Sequence, residues 1–204
     1  MFGKYRIAFV GTHCSGKSTL VDALVKELGD YPVIKEVAAR FPREKRQHLA
    51  TQFDIMSAQI AEEMKTPFFI SDRSVVDNIA YTTLNFQESI NGKTDLDFVI
   101  SRVKLFAMCL SLERDYLTTR PYDLIVFIDE MFPIEDNGNR CLNEGYQKWI
   151  FEFLKNEVAL TGVTYHIPVL DVTGSIEERV NSLLSFLEKL DAKAGVATDA
   201  RKLK

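Results

Sequence analysis

Arg6-Ile7-Ala8-Phe9-Val10-Gly11-Thr12-His13-Cys14-Ser15-Gly16-Lys17-Ser18-Thr19 is the most informative run of this chain. It opens on an apolar segment of the right length for a buried strand, read here as Tyr5–Val10. Gly11 to Ser18 then fit the spacing G-x-x-x-x-G-K-[ST], a phosphate-binding loop. The glycines let the backbone curl until its N–H groups converge on phosphate oxygens. A helix that starts inside the motif adds the partial positive charge of its N-terminus. Lys17 is expected to neutralise the outer phosphates of a nucleoside triphosphate, and the Ser18 hydroxyl to ligate Mg²⁺. Thr12, Ser15, Gly16 and Thr19 complete the expected phosphate cradle. His13 and Cys14 fill variable positions and receive no chemistry.

Outward from this motif, apolar strands alternate with helical periods. Lys17–Leu28 reads as a helix stopped by Gly29, and Val33–Lys35 as a second strand. Leu49, Phe53, Met56, Ile60 and Met64 recur at steps of three and four, one face of a helix over Arg43–Lys65. Phe68–Ile70 is a third strand and Ser74–Phe86 a helix. Val99, Val103, Phe106 and Leu110 mark a long helix ending near Arg120-Pro121. Leu124–Ile128 is a fourth strand, Tyr146–Leu160 a helix stopped by Gly162, and Tyr165–Val172 a fifth strand. Ser175 and Glu178 form a capping box for the last helix. Such alternation predicts a parallel sheet with helices on both faces, its ligands held at the carboxyl ends of the strands. Residues 1–190 are expected to form a single domain and Asp191–Lys204 a polar tail that frays.

Composition narrows the function. The chain has 204 residues, 46% hydrophobic and 26% charged, which excludes wholesale disorder. A net charge of -4 argues against a bulk electrostatic grip on nucleic acid. No apolar run is long enough to cross a bilayer, and no signal peptide is visible. Cys14, Cys109 and Cys141 are odd in number and widely spaced, which reads as reduced thiols in a cytoplasmic protein.

A phosphate loop needs a carboxylate partner for its metal, and two strand ends offer one. Asp72-Arg73 follows the third strand; Asp129-Glu130 follows the fourth. The first pattern suits nucleotide and nucleoside kinases, the second a motor-type ATPase in which a Glu polarises water. The bland alternatives are a helix N-cap for Asp72 and a solvated strand end for Asp129-Glu130.

Taken with the P-loop, four further segments resemble the P-loop small-molecule kinases, and among them the ribosylnicotinamide-kinase-like (AAA-type ATPase/kinase) branch. They are Lys35-Glu36-Val37-Ala38-Ala39-Arg40; Ser71-Asp72-Arg73 with Asp77 and Tyr81; Phe132 to Arg140; and Gly174 to Arg179. The resemblance implies a three-layer α/β P-loop NTPase fold, with a five-stranded parallel sheet and a small lid over residues 131–146. It implies ATP and Mg²⁺ as cofactors, with ATP on Gly11, Thr12, Ser15, Gly16, Lys17, Ser18 and Thr19, and the metal on Ser18 and Asp72. It implies that Glu36 takes the proton of an acceptor hydroxyl and that Arg40 lines the acceptor pocket. Arg73 would face the phosphates or the acceptor, and Arg140 would reach the transferring phosphoryl group from the lid. An arginine in that role is worth about 10³–10⁵ in rate in GTPases. The lid reads Asp136-Asn137-Gly138 where relatives often carry Asp-Asp-Gly.

The expected activity is transfer of the γ-phosphate of ATP to a hydroxyl or phosphate of a nucleoside or nucleotide-like acceptor. Two alternatives stay open. Arg40, Arg43, Lys45 and Arg46 form a basic run that a nucleic-acid substrate could use. Asp129-Glu130 would serve a P-loop ATPase or nucleotide switch. The acceptor, ATP against GTP preference and oligomeric state are not written in any motif.

Overall fold

The computed structural model describes residues 2–134 and 143–202. Thirteen elements follow in order: β1 (Arg6–Val10), α1 (Lys17–Leu28), β2 (Val33–Ile34), two 3-10 turns (Val37–Arg40 and Arg43–Lys45), α2 (Leu49–Glu63), β3 (Phe69–Asp72), α3 (Val75–Ile90), α4 (Leu96–Thr119), β4 (Leu124–Ile128), α5 (Glu144–Tyr165), β5 (Val169–Val172) and α6 (Ile176–Lys202). The five strands form one all-parallel sheet in the order β2-β3-β1-β4-β5. β1 is therefore central, and the carboxyl ends of β3 and β4 flank the loop that leaves it.

Strand periodicity sorts the core into two layers. Ile7 and Phe9 of β1, with Leu124, Val126 and Ile128 of β4, pack under α1 and α6 against Leu20, Leu24, Leu183 and Leu187. Ala8 and Val10, with Ile125 and Phe127, face Val76 and Ile79 of α3 and Ile150 and Leu154 of α5. Helix α4 packs on α2 and α3, one layer further out.

Several boundaries differ from the sequence reading. The helix expected over Arg43–Lys65 begins only at Leu49. The Arg46 carbonyl accepts hydrogen bonds from the Gln52 and Asn85 side-chain amides, which arrests the chain in a 3-10 turn before the helix. The α3 helix continues past Phe86 to Ile90. Gly162 does not stop α5, which runs on to Tyr165 with His166 in the left-handed conformation as its cap. A Cβ on Gly162 would sit 2.7 Å from Val169 Cγ2, so the glycine serves a close helix–strand approach, and β5 starts only at Val169. Helix α6 extends through the segment expected as a tail. There the Asp191 carboxylate accepts the Gly3 N–H at 3.0 Å and the Tyr5 hydroxyl at 2.5 Å, tying α6 to the start of β1.

Candidate active site

The loop between β1 and α1 turns through Cys14 (φ 57°) and Gly16 (φ 81°), and Gly16 caps α1. A side chain at Gly16 would carry the strain of a left-handed backbone. A Cβ on Gly11 would lie 3.0 Å from Ser15 Oγ and 3.2 Å from Ile128 Cβ. The cradle is thus shaped by backbone, as a phosphate site at a helix N-terminus requires. The Lys17 ammonium is buried and donates to the Gly11 carbonyl at 2.7 Å, to the Thr12 carbonyl and to Ser15 Oγ at 3.2 Å. Burial, reinforced by the Arg73 charge, lowers it to about 8.

Asp72 ends β3 beside Phe9 of β1. Its Oδ2 accepts the Ser18 hydroxyl at 2.5 Å, which brings together the two residues expected as metal ligands. Asp72 is not a helix cap, because Ser74 caps α3 with Asp77 as the reciprocal acceptor. Arg73 stands at φ 90°, a conformation costing about 1 kcal/mol or more for a residue with a Cβ. Its N–H donates to the Phe9 carbonyl at 3.1 Å, and its own carbonyl accepts from Gln59 at 3.4 Å. The strained turn aims the guanidinium into the site. Its Nε donates to Glu36 Oε1 at 2.6 Å, and one terminal nitrogen reaches Tyr81 Oη at 3.3 Å and Asp77 Oδ1 at 3.4 Å. The Arg73 guanidinium is a hydrogen-bond partner of the Glu36 carboxylate, and its charge holds that carboxyl down to about 2.

These groups share a cavity of about 840 Å³. His13–Thr19, Asp72, Arg73 and Glu36 line it together with Gln52, Ile55, Asn78, Tyr81, Asn85 and Tyr146. Arg43, Glu44, Arg46 and Glu88 also border it. Of the residues expected from the sequence, the phosphate loop, Glu36, Asp72 and Arg73 converge here. Arg40 does not: it lies outside the cavity lining and pairs with Glu62 on α2 at 2.5 Å. Its neighbours Arg43 and Arg46 border the cavity instead. Arg140 and the centre of the expected lid, residues 135–142, lie outside the described residues.

The end of β4 is built otherwise. Asp129 pairs with Lys155 of α5 at 2.9 Å and is not among the residues that line the cavity. Glu130 accepts from Arg179, a guanidinium 1% exposed that also donates to the carbonyls of Ser15 at 3.1 Å and Gly174 at 2.9 Å. Phe132 N–H donates to the Cys14 carbonyl at 3.0 Å, and Gln147 donates to the His13 and Phe132 carbonyls. This end therefore buttresses the phosphate loop from behind.

Sequence reasoning singled out neither Arg179 nor Asn78 for the site. Arg179 sits in a helix-start motif that explains itself by capping. Asn78 is buried, lines the cavity, and its Nδ2 has no partner among the described residues. Nothing in its spacing separates it from other polar residues of α3. Asp77 had a legible signal, the Ser74-x-x-Asp77 box. Its second bond, from the Gly11 N–H at 3.3 Å, did not.

Comparison with known proteins agrees with this architecture. The deoxyadenosine kinase from M. mycoides with bound dCTP superposes with a TM-score of 0.63 at 16% identity, covering 90% of this chain and 99% of that one. The thymidylate kinase from Candida albicans gives 0.57 at 17% identity, covering 92% of each chain. The NadR protein in complex with NR gives 0.62 at 17% identity, covering 91% of this chain and 52% of NadR. At these identities the likeness is one of fold. No curated protein matches by sequence. A family model described as an AAA domain (AAA_28) covers residues 6–179, from the first residue of β1 to the buried arginine behind the phosphate loop, and on that match the chain belongs to the AAA_28 family of P-loop nucleotide-binding domains.

Proposed function

We propose that this protein transfers the γ-phosphoryl group of ATP to a hydroxyl of a nucleoside-like acceptor. The observation that carries the reading is the Glu36–Arg73–Asp72–Ser18 chain of contacts, which joins an acceptor-side carboxylate to the phosphate loop within one cavity. Phosphoryl transfer asks for positioning and charge neutralisation more than covalent chemistry. Lys17 and the loop N–H groups would hold the phosphates of ATP. Ser18 and Asp72, already hydrogen-bonded, would hold Mg²⁺, which when bound neutralises charge on the phosphate oxygens. Glu36 is a carboxylate at any working pH, so it would accept the hydrogen bond of the acceptor hydroxyl, align it, and take its proton late in transfer. Arg73, fixed by Glu36, Asp77 and Tyr81, would direct positive charge at the group in flight. Arg140 is proposed for the same task from the lid, on the resemblance alone.

The charge around the cavity is mixed. Arg73 is compensated by Glu36 and Asp77, and Arg40 by Glu62. Glu44 and Glu88 add negative charge along the cavity, and Arg43 and Arg46 add positive charge. The hydroxyl acceptor is proposed on Glu36, a proton acceptor that a phosphate substrate would not need. The unpartnered Asn78 amide gains by donating to an acceptor atom of a polar ring, since a buried donor left unpaired costs about 1–3 kcal/mol. The nucleic-acid alternative loses Arg40 from its basic run, and the ATPase alternative loses Asp129 to Lys155.

The test offers Mg²⁺-ATP with a panel of nucleosides, nucleoside monophosphates and oligonucleotides, and weighs the products by mass spectrometry. A nucleoside that gains one phosphate supports the reading. Diphosphate products or phosphorylated oligonucleotides would replace it.

A further inference from the structure

Eleven large apolar side chains stay exposed among the described residues, and seven lie on two neighbouring helices. They are Leu96, Ile100, Val103, Met108 and Leu110 on α4, and Leu160 and Val163 on α5. On α4 the run Leu96, Ile100, Val103, Ala107, Leu110 steps by four, three, four and three. That spacing forms a single stripe about 21 Å long. Cys109, Glu113 and Tyr116 are buried towards α2 and α3 on a different side of the helix, and the stripe itself becomes buried at Leu117, two turns beyond Leu110. Leu96 is 74% exposed and Ile100 48%. Helix α4 is thus apolar on both faces, where a surface helix keeps its outer face polar. Helix α5 adjoins it, since the charge of Glu157 acts on Glu113, and Glu113 and Arg114 act on Tyr165. On α5, Trp149 and Phe153 stack at 5.2 Å, half-buried against the core, and Leu160 and Val163 stand exposed. An exposed apolar stripe such as that of α4 marks a contact surface.

We infer that α4 is a homodimer interface, across which a second copy of the chain lays its own α4 antiparallel. The stripe is complementary to itself. A two-fold axis at Val103 sets Leu96 level with Leu110 of the second copy, and Ile100, large, within about 1.5 Å along the axis of Ala107, small. Charge selects the antiparallel sense. Exposed Arg114 continues the stripe one turn beyond Leu110, while Asp95 and Asp97 stand at the other end. Antiparallel pairing brings Arg114 within about 4.5 Å, along the axis, of Asp95 in the second copy; parallel pairing would bring Arg114 against Arg114. Exposed Leu160 and Val163 of α5 widen the contact towards the area that a stable dimer needs. Helix α3 lies beneath both helices and carries Asn78, Tyr81 and Asn85, so the dimer would brace that wall of the cavity.

Sedimentation equilibrium of the full chain tests this without reference to activity. The expected mass is twice the 23.3 kDa of the chain. Val103→Glu sets two carboxylates at the axis and should raise the dissociation constant about 100-fold, with an unchanged far-ultraviolet circular dichroism spectrum. Val103→Cys should form a covalent dimer under mild oxidation, whereas Asp22→Cys on α1, across the sheet, should not. A wild-type chain that stays monomeric at every concentration overturns the inference. So does a dimer that Val103→Glu leaves intact, or one that Val103→Cys fails to cross-link.

Discussion

The carboxyl ends of β3 and β4 are alike in sequence and opposite in construction. Each delivers an acidic residue beside the phosphate loop, and each has an arginine nearby in space. At β3 the acid, Asp72, touches the loop's own hydroxyl, and the arginine turns into the cavity through a strained backbone. At β4 the first acid, Asp129, is spent on Lys155, and the second, Glu130, orients an arginine that grips the loop from outside the cavity. Adjacent strands of a parallel sheet offer equivalent positions, so neighbouring elements decide which carboxylate meets ligand. α3 starts immediately after β3 and locks Asp77 onto Arg73 and Gly11, whereas α5 and α6 close over the end of β4.

Of the two arginines, Arg73 should show the larger effect. Arg73→Lys keeps a charge but loses the fork that spans Glu36, Asp77 and Tyr81, and kcat/KM should drop by about 10²–10³ in steady-state assays. An effect below tenfold would erase the distinction drawn for β3. Glu36→Gln should lower kcat by about 10² with little change in KM for ATP, because its carboxylate bonds to Arg73 and to no group of the phosphate loop. At the other strand end, Arg179→Ala should raise KM for ATP about tenfold and leave kcat within a few-fold, as loss of a support for the loop rather than of a group at the reaction. A kcat collapse there would merge the two ends into one catalytic unit.

The smallest effect concerns a position away from both ends. Burial, with Glu157 alongside, pushes the Glu113 carboxyl up to about 8. The folded chain then binds this proton more tightly than the unfolded chain, so stability is greatest at mildly acid pH and declines as pH rises from about 4.5 towards 8. Glu113→Gln should flatten that decline, gaining about 1 kcal/mol at its alkaline end in denaturant titrations, with activity unchanged.

Much of this was legible beforehand. The strand cores, the bounds of α1 and the phosphate loop follow from periodicity and motif spacing, which report local geometry, whereas the gathering of Glu36, Asp72 and Arg73 at that loop was implied by the resemblance to P-loop kinases. What stayed hidden depends on contacts between distant segments. Arg40 follows Glu36 by one turn, yet Glu62 on α2 draws it away. Gly162 looks like a helix stop, but it answers to Val169 across a tight corner. Arg179 is separated from Ser15 by most of the chain, and no spacing rule links them. The exposed stripe of α4 carried the period of a buried face, so only accessibility separates it from core.

The most direct measurement compares Asp72→Asn with Asp129→Asn in the same acceptor-dependent assay of ADP formation. Asp72→Asn should lose about 10³ in kcat, and Asp129→Asn should stay within about threefold of wild type. The reverse ranking, with ADP formed equally in the absence of acceptor, would contradict the account and return the protein to the ATPase reading.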